Sequence, residues 1–150
     1  MAEAKPDSGK PDSGKGELPL VLNDVLFSNQ NPAGTTRYVL KLGSHGEEQK
    51  SSGIWIAPAA GSTAATKSAG GKVLHISSRE FQYVVREPYQ PLGQCYQFLQ
   101  DVVSDKKKLR ILSMMDDAAL YIDGPHFIHP VRRGSMIEIG NARKPITAVW

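Results

Sequence analysis

Cysteine is almost absent: Cys95 stands alone in 150 residues. No disulfide can form within the chain, no thiolate metal cluster can be assembled, and a reducing compartment suits it. Long apolar runs are also missing. No uncharged apolar run approaches the length needed to span a bilayer, and the N-terminus lacks the apolar core of a signal peptide. The expectation is a cytoplasmic protein with no membrane partner. Charge of one sign is scarce too. Eighteen Lys and Arg face fifteen Asp and Glu, for a net +3, which suits a small anionic ligand better than nucleic acid. The runs Lys106–Lys108 and Arg132–Arg133 have no aromatics between them, as a nucleic-acid surface would want, and read as solvated turns. Long periodic stretches are few, while glycine (14) and proline (10) are frequent. That balance predicts many short strands joined by turns.

After four residues comes "KPDSGKPDSGKG" (Lys5–Gly16), a tandem of Pro, Gly, Ser and charge with nothing to bury. Residues 1–17 are therefore expected to be a flexible tail or linker, and residues 18–150 the folded domain. The domain begins with "LPLVLNDVLF" (Leu18–Phe27), a strand pattern interrupted by Asn23-Asp24. Further strands are predicted at "RYVLKL" (Arg37–Leu42), "IWIA" (Ile54–Ala57), "KVLHI" (Lys72–Ile76), "FQYVV" (Phe81–Val85), "LRILS" (Leu109–Ser113), "AALYI" (Ala118–Ile122), "SMIEI" (Ser135–Ile139) and "ITAVW" (Ile146–Trp150). Polar loops are expected at Ser28–Thr36 and Gly43–Gly53, and Asp123-Gly124 is a hairpin signal. A short helix is predicted from Thr63 to Ser68, capped by Ser62 and ended by Gly70, with another around Gln94–Val103. The fold class is mainly β: a multi-stranded, sandwich-like domain with one or two short helices.

The stretch "IWIAPAAGSTAATKSAGG" (Ile54–Gly71) is unusually free of bulk. Gly61, Lys67 and Ser68 fall in the register of a phosphate-binding P-loop, but Thr66 occupies the place of its second glycine, whose backbone geometry a β-branched residue resists. Two readings stand beside each other. The small residues Gly61, Ser62, Thr63, Ala64 and Ala65 form a tightly packed turn that binds nothing, or they let a flat ligand lie against the backbone. Asn23-Asp24 is likewise a bulge in an apolar strand, or a donor-and-acceptor pair suited to the vicinal hydroxyls of a ribose. His126 and His129, three apart in a strand pattern, point to opposite faces, and no carboxylate cluster completes a metal site. There is no Gly-x-Ser-x-Gly elbow, and Cys95 has no adjacent base, so no residue is assigned a catalytic or metal-binding role.

Three pieces in order, "LNDVLF", "SSGIWIAPAAGSTAATKSAGG" and "IDG…GSMIEI", resemble the C-terminal β domain of NAD kinases, over about Leu18 to Trp150. The resemblance implies that Asn23 and Asp24 stand for an Asn-Glu pair that contacts NAD. Gly61, Ser62, Thr63 and Ala64 stand for a loop lining its pocket, and Ser68 for the serine that follows. Three departures accompany it. Ser52 stands at an NAD-contacting position that often holds an aspartate, so that contact loses its charge; Ala65 replaces a tyrosine beside the ligand; and Ala57-Pro58-Ala59-Ala60 replaces a run bearing threonines. The family's Gly-Gly-Asp-Gly motif does not occur in the chain. The resemblance therefore implies NAD as substrate, with ATP and Mg2+ entering only through the separate domain that carries that motif. It also implies a homo-oligomer whose pocket is completed between subunits. The expected function is NAD binding in phosphoryl transfer to the 2′-hydroxyl, giving NADP, without turnover by this chain alone. The alternative is a non-catalytic ligand-sensing or oligomerisation module of the same fold. A related lipid-kinase domain is disfavoured by Asn23-Asp24 and the Gly-Ser-Thr-Ala loop.

Overall fold

Alternation along the strands builds this domain. Val25 and Phe27, Ile54 and Ile56, Tyr83 and Val85 all turn to one side, and all are buried. The computed structural model describes residues 2–7 and 18–143. Within them lie β1 (Ala2–Asp7), β2 (Leu20–Val21), β3 (Val25–Asn29), β4 (Thr36–Leu42), β5 (His45–Ser51), β6 (Gly53–Pro58), β7 (Phe81–Arg86), β8 (Gln100–Val103), β9 (Leu109–Ser113), β10 (Ala118–Ile122), β11 (Phe127–Val131) and β12 (Met136–Asn141). A 3-10 turn at Ala59–Gly61 and a single helical turn, α1 (Ala65–Ser68), follow β6.

The strands form two antiparallel sheets, ordered β2-β1-β12-β9-β4-β5 and β11-β10-β3-β6-β7-β8. The first contributes Tyr38, Leu40, Leu109, Ile111, Ile137 and Ile139 to the shared core; the second contributes Val25, Phe27, Ile54, Ile56, Tyr83 and Leu120. Phe27 meets Tyr38 edge to face with centroids 5.9 Å apart, which joins the two layers near the middle of the core. This is the mainly β, sandwich-like class expected from the strand pattern.

Several local expectations need correction. Gly43–Gly53 is not a loop: β5 runs through it, paired along its length with β4. Its inward residues, Gln49 and Ser51, are polar but satisfied, because Tyr38 Oη donates to Gln49 Oε1 at 3.0 Å and lies 2.8 Å from Ser51 Oγ. Lys72–Ile76 forms no strand, and Val73 and Ile76 are exposed. Gln94–Val103 forms no helix; it is an irregular segment that enters β8. The predicted two-turn helix shrinks to α1, and Ser62 does not cap it. Part of the expected tail is a strand: β1 pairs with β12 from Ala2 to Asp7. Only Ala2 and Glu3 also pair with β2, so Pro6 has a ladder neighbour on one side among the described residues, the setting in which a strand tolerates a missing N–H. The rest of the expected tail, residues 8–17, and the "ITAVW" strand lie outside the described residues.

Candidate functional site

The polar pair Asn23-Asp24 does interrupt the first strand pattern: β2 stops at Val21 and β3 starts at Val25. Because Val25 pairs with Ile56 of β6 and Ile122 of β10, the pair emerges where β6 ends and β10 turns into its hairpin. Three segments distant in sequence therefore meet at one end of the second sheet: residues 22–24, the turn after β6, and Asp123.

Gly61 answers why this stretch has so little bulk. A methyl group at Gly61 would fall inside the Asn23 carbonyl, so the turn after β6 packs backbone on backbone against the polar pair. From the other side the Asp123 carboxylate accepts three successive amides: Leu22 at 3.0 Å through Oδ2, and Asn23 at 2.7 Å and Asp24 at 3.1 Å through Oδ1. The Asp123 amide returns a bond to the Asp24 carbonyl at 2.9 Å. Asp123 achieves this with φ +50°, in the left-handed region that Asp tolerates better than most residues. The Asn23 side chain then donates from Nδ2 to Asp24 Oδ2 at 3.0 Å. Asp24 is buried, and its carboxyl is pushed above the usual aspartate range, first by that burial and then by the facing Asp123 charge.

The remaining residues of the loop divide by exposure. Ser62 is fully buried; its hydroxyl donates to the Ala59 carbonyl at 2.8 Å and accepts from the Leu74 amide at 2.9 Å. Thr63 and Ser68 are exposed, and Ala64 and Ala65 are half-buried. Thr66 is buried with no hydrogen-bond partner for its hydroxyl among the described residues. Gly70, at φ +98°, ends the helical turn. The chain is then clamped by Gln82 of β7, whose side chain accepts from the Lys72 amide at 2.8 Å and donates to the Lys72 carbonyl at 2.6 Å. Sequence reasoning missed Asp123 as more than a turn residue, and missed Gln82 altogether. The signal for Gln82 was a buried amide in an apolar strand, which must find partners.

Ser52 is not part of this cluster. It precedes β6, whereas the loop follows it, so the two lie roughly 20 Å apart along the strand. Ser52 instead borders a cleft of about 320 Å³ with Ser28, Asn29, Arg86, Glu87 and Tyr121 among its walls.

No protein-family model matches the chain. Over 126 residues it is 36% identical to a protein named probable NADH kinase from Oryza sativa subsp. japonica, covering 80% of this chain and 39% of that protein. Over 92 residues it is 39% identical to the NADH kinase of Arabidopsis thaliana, covering 61% of this chain and 29% of that one. The chain belongs to the NAD kinase family. Its fold superimposes on yeast NADH kinase complexed with NADH at a TM-score of 0.78 and 20% identity, covering 94% of this chain and 39% of that structure. It also superimposes on an NAD kinase from Archaeoglobus fulgidus in complex with ATP, at a TM-score of 0.68 and 23% identity, covering 95% of this chain and 52% of that one. At those identities the structural likeness speaks for the fold. This NAD kinase family chain spans 29–39% of the length of the curated relatives it matches.

Proposed function

We propose that this chain is the dinucleotide-binding β domain of an NAD kinase, and that Asn23, Asp24 and the Gly61–Ser68 turn hold NAD or NADH. The observation that carries this reading is the packing of Gly61 against the Asn23 backbone, which sets the polar pair beside the small-residue turn. Hydroxyl donors of a ribose find acceptors in Asn23 Oδ1 and the Asp24 carboxylate, while Thr63, Ala64 and Ala65 leave room for a flat ring. The relatives named NADH kinase and the yeast structure holding NADH support the dinucleotide as ligand.

In the complete enzyme a bond forms between the 2′-oxygen of the ribose and the γ-phosphorus of ATP. The bond from that phosphorus to the ADP oxygen breaks, and the hydroxyl gives up its proton. Such a transfer depends on positioning and charge stabilisation. This chain's share is positioning. Among the described residues no three His, Cys, Asp or Glu side chains come together to hold a metal. We assign ATP, Mg2+ and the base for the 2′-hydroxyl to the Gly-Gly-Asp-Gly domain that the family resemblance implies.

Calorimetric titration of the purified chain with NADH tests the reading. Saturable binding is expected, weakened about tenfold in Asn23→Ala, the scale of one lost neutral hydrogen bond, and about tenfold or more in Asp24→Ala, the scale of one to a charged group. No heat at millimolar NADH from a chain shown to be folded would overturn it in favour of a non-catalytic oligomerisation module. In the same preparation, ATP, Mg2+ and NADH are expected to yield no NADPH. Formation of NADPH would refute the division of labour between the two domains.

A further inference from the structure

We infer that Asp123 is a positioning residue whose carboxylate fixes the backbone of Leu22–Asp24 and so aims Asn23 and Asp24 at the dinucleotide. The inference rests on the reading of those two side chains as ligands.

The register shows why a side chain is needed. The β3–β10 ladder ends with Val25 opposite Ile122, and the next pair outward would be Asp24 opposite Asp123. There the chain turns away, and three amides in a row lose their strand partner. Unpaired, they would leave this segment free to rearrange. One carboxylate takes all three, at 3.0, 2.7 and 3.1 Å. Amides converging on one anion form a concave nest, an arrangement that favours negative charge. The reciprocal bond from the Asp123 amide to the Asp24 carbonyl, 2.9 Å, fixes the distance between the two segments. Gly61 blocks movement of Asn23 in the opposite direction. The backbone of Asn23 is thus held on its amide side by Asp123 and on its carbonyl side by Gly61. The side-chain bond from Asn23 Nδ2 to Asp24 Oδ2 then sets the orientation of both groups. Asp123 is exposed, yet its carboxylate is committed to these amides, so it serves the ligand through Asn23 and Asp24.

The test uses the 150-residue chain with Asp123→Ala, Asp123→Asn, Asn23→Ala and the double variant Asn23→Ala/Asp123→Ala. Amide hydrogen exchange by NMR is expected to quicken about tenfold or more at Leu22, Asn23 and Asp24 in Asp123→Ala, with β9 and β12 still protected. Asp123→Asn should restore protection at Asn23 and Asp24, since its Oδ1 still accepts, but not at Leu22, which would face an NH2 group. NADH affinity should fall about tenfold in Asp123→Ala, and the double variant should lose less than the sum of the two single losses, because part of what Asp123 does is to place the Asn23 side chain. The Asp24 carboxyl carbon should titrate closer to its usual range in Asp123→Asn, where the facing charge is gone and the fold is kept. Unchanged exchange, or additive losses of affinity, would overturn the inference. If the wild-type chain binds no NADH, the reading of the pocket fails, and the exchange and titration results by themselves decide whether Asp123 holds the segment. If Asp123→Ala does not fold, Asp123→Asn decides: lost protection confined to Leu22 supports the clamp, and no change refutes it.

Discussion

Gly61 has its Cα pressed against the Asn23 carbonyl, so the smallest possible substitution there is also a severe one. Gly61→Ala must displace either the turn after β6 or the polar pair, and both are backbone. Overpacking against backbone has no flexible side chain to absorb it, so a loss of about 3 kcal/mol or more is expected. Urea denaturation of Gly61→Ala measures it, and a change within about 0.5 kcal/mol would show that the contact is not made. The same contact marks a limit of reading residues along the chain. The small-residue stretch was legible as a place of close approach, but what approaches it was not. The partner is a carbonyl thirty-eight positions earlier, brought there by the Val25–Ile56 pairing. The role of Asp123 was hidden for the same reason. Its dipeptide with Gly124 announces a turn, whereas its bonds reach back about a hundred residues.

β5 and the segment before β8 stabilise each other through Glu47, and this pairing makes the element sensitive to acid. The Glu47 carboxylate accepts from the Gln97 amide at 2.9 Å, the Phe98 amide at 3.0 Å and Gln49 Nε2 at 2.7 Å. Partial burial opposes its charge, but the amides of Phe98 and Gln97 and the Gln49 side chain outweigh that and hold the carboxyl below the usual glutamate range. A depressed carboxyl contributes stability above its unfolded value of 4.5 and loses it as pH falls through the folded value. Asp24 acts in the opposite sense. Its raised carboxyl favours the fold below 3.8 and withdraws that contribution as pH rises through the folded value. Glu47→Gln is therefore expected to cost about 1 kcal/mol at pH 7, discounted for solvent exposure, and less at an acid pH once the pH has fallen through the depressed folded value. Equal destabilisation at both pH values in urea melts would refute the charge-based account. Polarity is also why this element escaped the sequence pattern. Strands such as Phe81–Arg86 and Leu109–Ser113 show apolar residues at inward positions. β5 buries Gln49 and Ser51 instead, satisfied by Tyr38 from the neighbouring strand. The converse misled at Lys72–Ile76, where the apolar Val73 and Ile76 face solvent and the backbone is held by Gln82 and Ser62.

At the scale of the whole molecule, β6 separates two features that the family resemblance assigns to one ligand. Ser52 stands at its start, and the Gly61 turn with Asn23 stands beyond its end, roughly 20 Å away. One copy of this chain therefore presents Ser52 and Asn23 to different places. A two-fold dimer in which the roles are exchanged between copies would offer both positions to one dinucleotide, and the family resemblance, which implies a pocket completed between subunits, predicts that arrangement. Mixing subunits tests this directly. Asn23→Ala spoils one half of such a site, and Ser52→Trp fills the other. If each site takes Asn23 from one copy and Ser52 from its partner, each variant alone binds NADH at least about tenfold more weakly than the unmodified chain. After the two are unfolded and refolded together, half the dimers are mixed, and each mixed dimer has one intact site and one doubly damaged site. About a quarter of the sites should then recover, with the affinity of the unmodified chain. Recovery of none, in a preparation shown to contain mixed dimers, would place both positions in the pocket of a single copy, and undiminished NADH binding by Ser52→Trp alone would leave Ser52 outside the pocket.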